Sequence, residues 1–226
     1  MSAGPDAPAE APLADAQRAP RAETAPGGVP ERAPDLADGP PDEELVARCR
    51  AGDPESFTPL VRRHQRMAFA LAFGVLRDRE EADEVTQEAF VTAFHRLHQF
   101  DGRAAFGTWL GRIVLNRSVD AWRRRRRWRF LLDGSAPRAG GEAALAALAD
   151  PRPDPQAELE RRQLADRFDR LLETLSPRQR VVFTLRHLQR RSTREAALLT
   201  GLDEGSVKTH LLRAVRKLRA GLERFR

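Results

Sequence analysis

The chain has 226 residues, with 39 Lys+Arg against 33 Asp+Glu and a sequence pI near 10.8, a balance that suits a polyanionic partner better than an acidic substrate. A single cysteine, Cys49, excludes an internal disulfide framework and any zinc site built on several thiolates, and it fits a reducing cytoplasm. No run approaches the roughly 18–20 apolar residues that span a bilayer. The N-terminus MSAGPDAPAEAPLADAQRAP lacks the basic start and apolar core of a secretory signal, so a soluble, cytoplasmic protein without direct membrane insertion is expected.

Residues 1–40 are rich in Ala, Pro, Gly and acid, with almost no large apolar side chains. Such a segment cannot bury enough surface to offset its ordering entropy, and a disordered extension is expected. From Asp42 the apolar residues recur at helical spacing: Phe57, Leu60, Val61, then Met67, Ala68, Leu71 and Val75. Gly52-Asp53-Pro54 punctuates this stretch, with Asp53 as N-cap and Pro54 at the first helical position. A second helix is predicted from about Arg79 to Leu97, with Val85, Ala89, Ala93 and Leu97 on one stripe. FDGRAAFGT (Phe100–Thr108) reads as a Gly-bearing loop, and a third long helix runs from Trp109 to about Arg129. Residues 131–157 read as a linker that leaves room for a short helix at Glu142–Leu148. A second helical block follows over 158–226. No convincing strand occurs, so the fold class is all-α, two small helical domains joined by a flexible linker.

Charge follows the same division. Residues 1–40 carry −4, 41–130 carry +4, 131–157 carry −2 and 158–226 carry +8, so an acidic segment separates two basic blocks. The densest basic stretch, AWRRRRRWRF (Ala121–Phe130), sets six arginines among two tryptophans. Alone it fits a solvated face as well as a nucleic-acid contact.

STREAALLTGLDEGSVKTHLLRAVRKLRAGL (Ser192–Leu222) has the pattern of a helix-turn-helix. Ser192 or Thr193 caps a short helix with Ala196, Ala197 and Leu199 inward. Gly201 makes the turn, Leu202 packs under it, and a longer helix begins near Asp203. On that helix Val207, Leu211, Ala214, Val215, Leu218 and Leu222 share one side, with Thr209, Leu212, Arg213 and Arg216 opposite. One side would hold the helix on its scaffold, and the other would offer donors to base edges and phosphates in a major groove.

Two further strings resolve which kind of DNA-binding protein this pattern fits. EADEVTQEAFVTAFHRL (Glu81–Leu97) exposes Asp83 and Gln87 with Glu84 and Glu88 beside an apolar stripe, and FDGRAAFGTWLGRIVLNRSVDAWRRRRR (Phe100–Arg127) follows it. With the helix-turn-helix some hundred residues on, the chain resembles an extracytoplasmic-function (ECF) sigma factor, the minimal two-domain group of bacterial RNA polymerase sigma factors. The resemblance covers Pro41–Arg129 and Glu158–Phe225.

It implies a sigma region 2 over 41–130 and a sigma region 4 over 158–226. Asp83, Glu84, Gln87 and Glu88 would dock on the clamp helices of the polymerase largest subunit, where carboxylates and an amide can pair with arginines. Phe100, Arg103, Arg112, Asn116 and Arg117 would meet the melted minus-ten element, Asn116 because an amide both donates and accepts at a base edge. Trp109 reads as core, since Leu110 and Ile113 continue its stripe. The arginine run closes the same helix, with Arg123, Arg124, Arg126 and Arg127 as phosphate contacts that add affinity without sequence choice. Ser206, Lys208, Thr209, Leu212, Arg213 and Arg216 would meet the minus-thirty-five element, Arg213 as a base contact and Lys208 on phosphate.

The implied partners are core RNA polymerase, promoter DNA and an anti-sigma factor, with no cofactor. His210 stands where the family often has arginine, and TREAALLTGL is more apolar than usual, so the promoter sequence is not read from this resemblance. No Gly-rich phosphate loop, H-E-x-x-H or G-x-S-x-G points to an enzyme. His95 and His98 have no evident third ligand. The rival reading is a helix-turn-helix regulator that acts on duplex DNA without polymerase, which would need neither the acidic stripe nor the loop.

Overall fold

Local start and stop signals account for most of the helix ends in the computed structural model, which describes residues 39–132 and 155–223. The first helix, α1 (Asp42–Arg50), carries Asp42, Glu43 and Glu44 in its first turn and Arg48 and Arg50 in its last, both complementing the helix dipole. Asp53 and Pro54 then open a short 3₁₀ turn, Pro54–Ser56, and not the long helix itself; α2 (Phe57–Leu76) begins one residue later. The Asp53 carboxylate accepts from Ser56 Oγ at 2.6 Å and from Arg48 at 2.9 Å, tying the turn back to α1. Asp78 caps α3 (Arg79–His95) by accepting from the Glu81 amide at 3.0 Å. Leu97 lies in a following 3₁₀ turn, and α4 (Phe106–Leu132) starts three residues before Trp109.

The second block is α5 (Pro155–Glu173), α6 (Pro177–Phe183), α7 (Thr193–Thr200) and α8 (Glu204–Glu223), and among the described residues all regular structure is helical. Ser176 with Gln179 and Ser192 with Glu195 each form a reciprocal capping box at the starts of α6 and α7. Gly201 ends α7 at φ 71°, a left-handed conformation that a Cβ would disfavour, and this makes the tight turn into α8.

Core positions follow the helical stripes. Leu60, Ala68, Leu71 and Val75 of α2 meet Ala82, Val85 and Ala89 of α3 and Phe106, Leu110 and Val114 of α4, all buried. A second cluster joins Leu171, Leu172 and Leu175 to Phe183, Ala214 and Leu218. Leu222, expected on the same stripe of α8, is 51 % exposed.

The two helical domains do not stand apart. Val181, Val182, Leu185, Ala196 and Val207 of the second block belong to the same buried cluster as Leu71, Val75, Leu110 and Leu115 of the first. The expected extension before residue 39 and the Glu142–Leu148 helix lie outside the described residues.

Candidate nucleic-acid interface

Helix α3 buries Ala82, Val85 and Ala89, which turns Asp83, Glu84, Gln87 and Glu88 to solvent. Among the described residues the side chains of Asp83, Glu84 and Gln87 make no hydrogen bond or ion pair. Glu88 instead receives Arg117 of α4, Nη1 to Oε2 at 2.6 Å. Both partners are more than a third exposed, so the pair contributes at most about 1 kcal/mol. Two residues expected to serve different partners therefore neutralise each other here.

Phe100 departs from expectation. It is 6 % exposed, and its ring packs 5.9 Å from Phe106 and 5.3 Å from Trp109. An aromatic cluster that includes Phe57 holds it in the core, and Arg50 donates to its carbonyl, so the ring is not presented to a base. Trp109, read as core, does pack against this cluster. Arg103, at the loop tip, has its side chain 87 % exposed beside Asp101. Arg112 points across the molecule, its Nε donating to the Leu198 carbonyl at 2.7 Å. Asn116 is half-buried on the same helix.

The arginine run splits by direction. Arg124, Arg126 and Arg127 are exposed, and Arg126 lies 5.3 Å over the Trp122 ring. Arg123 is half-buried and 3.9 Å from Asp120. Arg125 turns inward. It donates to Glu81 and to the Leu76 carbonyl, each at 2.9 Å, and lies 3.9 Å from Glu173.

On α8 the buried residues are Val207, Ala214 and Leu218, which places Lys208, Thr209, Leu212, Arg213 and Arg216 at the surface. Leu212 is 52 % exposed among these polar neighbours. Ser206 serves the helix start: its amide and hydroxyl both donate to Asp203, at 2.8 Å and 2.6 Å. Those bonds hold the Asp203 carboxyl below the ordinary carboxylate range. Among the described residues no three His, Cys, Asp or Glu side chains form a metal site, and no helix is long and apolar enough to cross a membrane.

Comparison with known proteins decides between the readings. The model of Sigma-70 region 2 matches residues 60–128, and that of Sigma-70 region 4 matches residues 165–218. The RNA polymerase sigma factor NccH of Alcaligenes xylosoxydans is 32 % identical over 83 % of this chain and 98 % of its own length. The chain belongs to the ECF RNA polymerase sigma factors. The ECF sigma factor SigM of Mycobacterium tuberculosis is 33 % identical, covering 78 % of this chain and 82 % of its own. The structure of CnrH in complex with the cytosolic domain of CnrY matches with TM-score 0.53 and 30 % identity, over 80 % of this chain and 97 % of that one.

As a sigma factor the protein serves RNA polymerase in transcription initiation, and the stand-alone regulator is not favoured. The family consists in general of non-catalytic subunits.

Sequence reasoning missed one group altogether in this sigma factor. Arg77, Arg125, Arg180, Asp169 and Glu173 converge where the two blocks meet. Arg77 Nε donates to Asp169 at 2.8 Å, and Arg180 Nε donates to the Val75 carbonyl at 2.5 Å. Arg180 is 1 % exposed, lies 5.7 Å over Trp122, and is pulled down to about 10 by burial, which Glu173 and Asp169 only partly offset. The only local signal was Arg180 itself, which falls on the apolar side of α6 between Gln179 and Val181.

Proposed function

We propose that this ECF sigma factor docks on core RNA polymerase through Asp83, Glu84, Gln87 and Glu88, reads the minus-thirty-five element through α8, and meets the minus-ten element through α4. In this assignment residues 41–130 act as region 2 and 158–226 as region 4, in the cytoplasm, without a catalytic role. The observation that carries it is the sorting of α3 and α8. Each buries one stripe and exposes the opposite one, acid and amide on α3 and Lys, Thr and Arg on α8. Carboxylates suit the arginines of a protein partner, whereas cations suit DNA phosphate and guanine edges.

Arg103, Arg124, Arg126 and Arg127 remain the exposed cations of the minus-ten block. Arg112 and Arg117 would have to leave their present partners first. Ser206 acts through the helix start and not by a direct contact. CnrH, the structural relative, was solved with the cytosolic domain of CnrY; a corresponding anti-sigma partner is part of this proposal.

The test is the double variant Asp83→Arg with Gln87→Ala. Co-purification with core polymerase should be lost while helicity by circular dichroism is retained. Undiminished co-purification of the folded variant removes the docking assignment.

A further inference from the structure

The loop between α3 and α4 is tied at its near end and free at its tip. α3 gives way to the 3₁₀ turn Leu97–Gln99, and the chain leaves that turn at Phe100 with extended backbone. The last carbonyls of a helical segment find few partners along their own chain. Leu97 O takes the Phe100 amide at 3.2 Å and still has a lone pair open. Arg50, in the last turn of α1, supplies the rest. Its Nε and Nη2 both donate to Leu97 O, at 3.1 Å and 2.9 Å, and Nη2 also donates to Phe100 O.

Phe100 is therefore gripped twice, by its ring from the aromatic cluster and by its carbonyl from α1. Beyond it the loop is held only by its own residues. Asp101 accepts from the Arg103 amide at 3.1 Å and lies 3.3 Å from the Arg103 guanidinium, and Gly102 turns at φ 73°. Ala105 O then takes the Thr108 and Trp109 amides, at 2.9 Å and 3.1 Å, and α4 is under way. Among the described residues, Arg50 is the side chain that bonds this stretch of backbone from another element. An open cleft of about 530 Å³, lined by Cys49, Arg50, Phe94, Leu97 and His98, lies beside these bonds. Water in that cleft can satisfy both carbonyls once the guanidinium is gone, so losing Arg50 unties the loop without orphaning a buried group.

We propose that Arg50 is a positioning residue for promoter reading: by fixing the Asp101–Ala105 loop against α4 it governs discrimination at the minus-ten element, acting through the loop. This rests on the assignment of that loop and α4 to the minus-ten element. Reading an unstacked base requires polar groups held within about 0.5 Å of their productive positions. A cation on phosphate tolerates more displacement, because its attraction falls off slowly with distance. An untied loop thus keeps the charge of Arg103 near DNA while it loses the alignment that tells one base from another. The planar fork matters as well as the charge, since it spans two carbonyls three residues apart in a fixed geometry.

The test uses holoenzyme reconstituted with the full chain, a promoter that the wild-type holoenzyme transcribes, and single-base variants of its minus-ten and minus-thirty-five elements. Permanganate reactivity follows open-complex formation, and the readout is the ratio of the parent promoter to each variant. A sigma factor that folds or docks poorly lowers both numbers alike, so the ratio moves only when reading changes. Arg50→Met keeps the length of the stem and removes the donors. Its ratio for at least one minus-ten position should fall about tenfold, the usual size of one good base contact. Ratios at the minus-thirty-five element and co-purification with core polymerase should match wild type. Arg50→Lys keeps a donor without the fork and should fall only about threefold; it decides the matter if Arg50→Met does not fold. Minus-ten ratios that stay at the wild-type value overturn the proposal, as do equal falls at both elements or a Lys variant no better than Met. A wild-type holoenzyme indifferent to the minus-ten bases refutes the assignment of the loop itself, and the positioning role falls with it.

Discussion

Arg180 tests how the contact between the two blocks balances burial against bonding. Burial lowers its pKa to about 10, so at neutral pH the charged side chain costs the folded state about 3 kcal/mol. The sign is that of a base held less tightly protonated when folded: the cost is present in full below about pH 10 and recedes only as pH rises from there toward the ordinary guanidinium range. Against it stand the bond to Val75 O, of the charge-assisted kind worth about 1.5–3 kcal/mol, and the contact with Trp122, worth about 1–2 kcal/mol when desolvated. These nearly cancel. Arg180→Met removes both sides and keeps most of the volume, so stability should change by less than about 1 kcal/mol. Arg180→Ala also leaves a cavity beside Trp122 and Val75, and should cost about 3 kcal/mol more than Met. Urea denaturation followed by circular dichroism on the full chain measures both. If Met is as damaging as Ala, the charge is needed for its bonds and the balance is wrong; if Ala is harmless, the residue is not buried in solution.

Arg213→Ala should relax preference at one minus-thirty-five base pair by about 1–3 kcal/mol, whereas Arg124→Ala with Arg127→Ala should weaken all promoters alike and reduce the salt slope by about one per phosphate contact. Holoenzyme binding to promoter variants at several salt concentrations separates the two, and reversed behaviour would exchange the roles. Asp42 has its pKa lowered: its burial, the largest influence, pushes upward, but hydrogen bonds and charge from His64 and Arg63 together outweigh it. A carboxyl held low stabilises above its ordinary 3.8 and loses that contribution as pH falls below it, so hydrogen exchange at Leu45 and Val46 should speed up first in acid, and should already be fast in Asp42→Asn. Deleting residues 1–38 should leave polymerase binding and promoter-dependent transcription in vitro intact, measured by single-round transcription; a collapse would give that segment a role.

Helix positions were legible because they depend on neighbours in sequence. Ser192, Glu195 and Gly201 signal the start and end of α7 within ten residues, and the structure uses all three. The α3 stripe of Val85, Ala89 and Ala93 was equally plain. Boundaries drifted where a 3₁₀ turn intervened, as at Pro54–Ser56 and Leu97–Gln99, since a tighter turn keeps the same residue types with a different register. The contact between the two blocks was invisible. Gly74 and Thr184 meet across 110 positions, and nothing near either residue announces the other.

The arginine run shows why composition could place the charge but not divide it. Six arginines in ten residues advance 100° each around one helix, so they cannot all face the same partner. Trp122 fixes the division. It is 2 % exposed, and the helix face that buries it carries Arg125, three positions on, toward Glu81, Leu76 O and Glu173. Arg124 and Arg127 turn outward as a result. A phosphate contact needs an exposed cation, and a contact between the blocks needs an inward one near a helix end that lacks partners. The same residue type meets both needs, and only the burial of the tryptophan beside it decides which arginine does which.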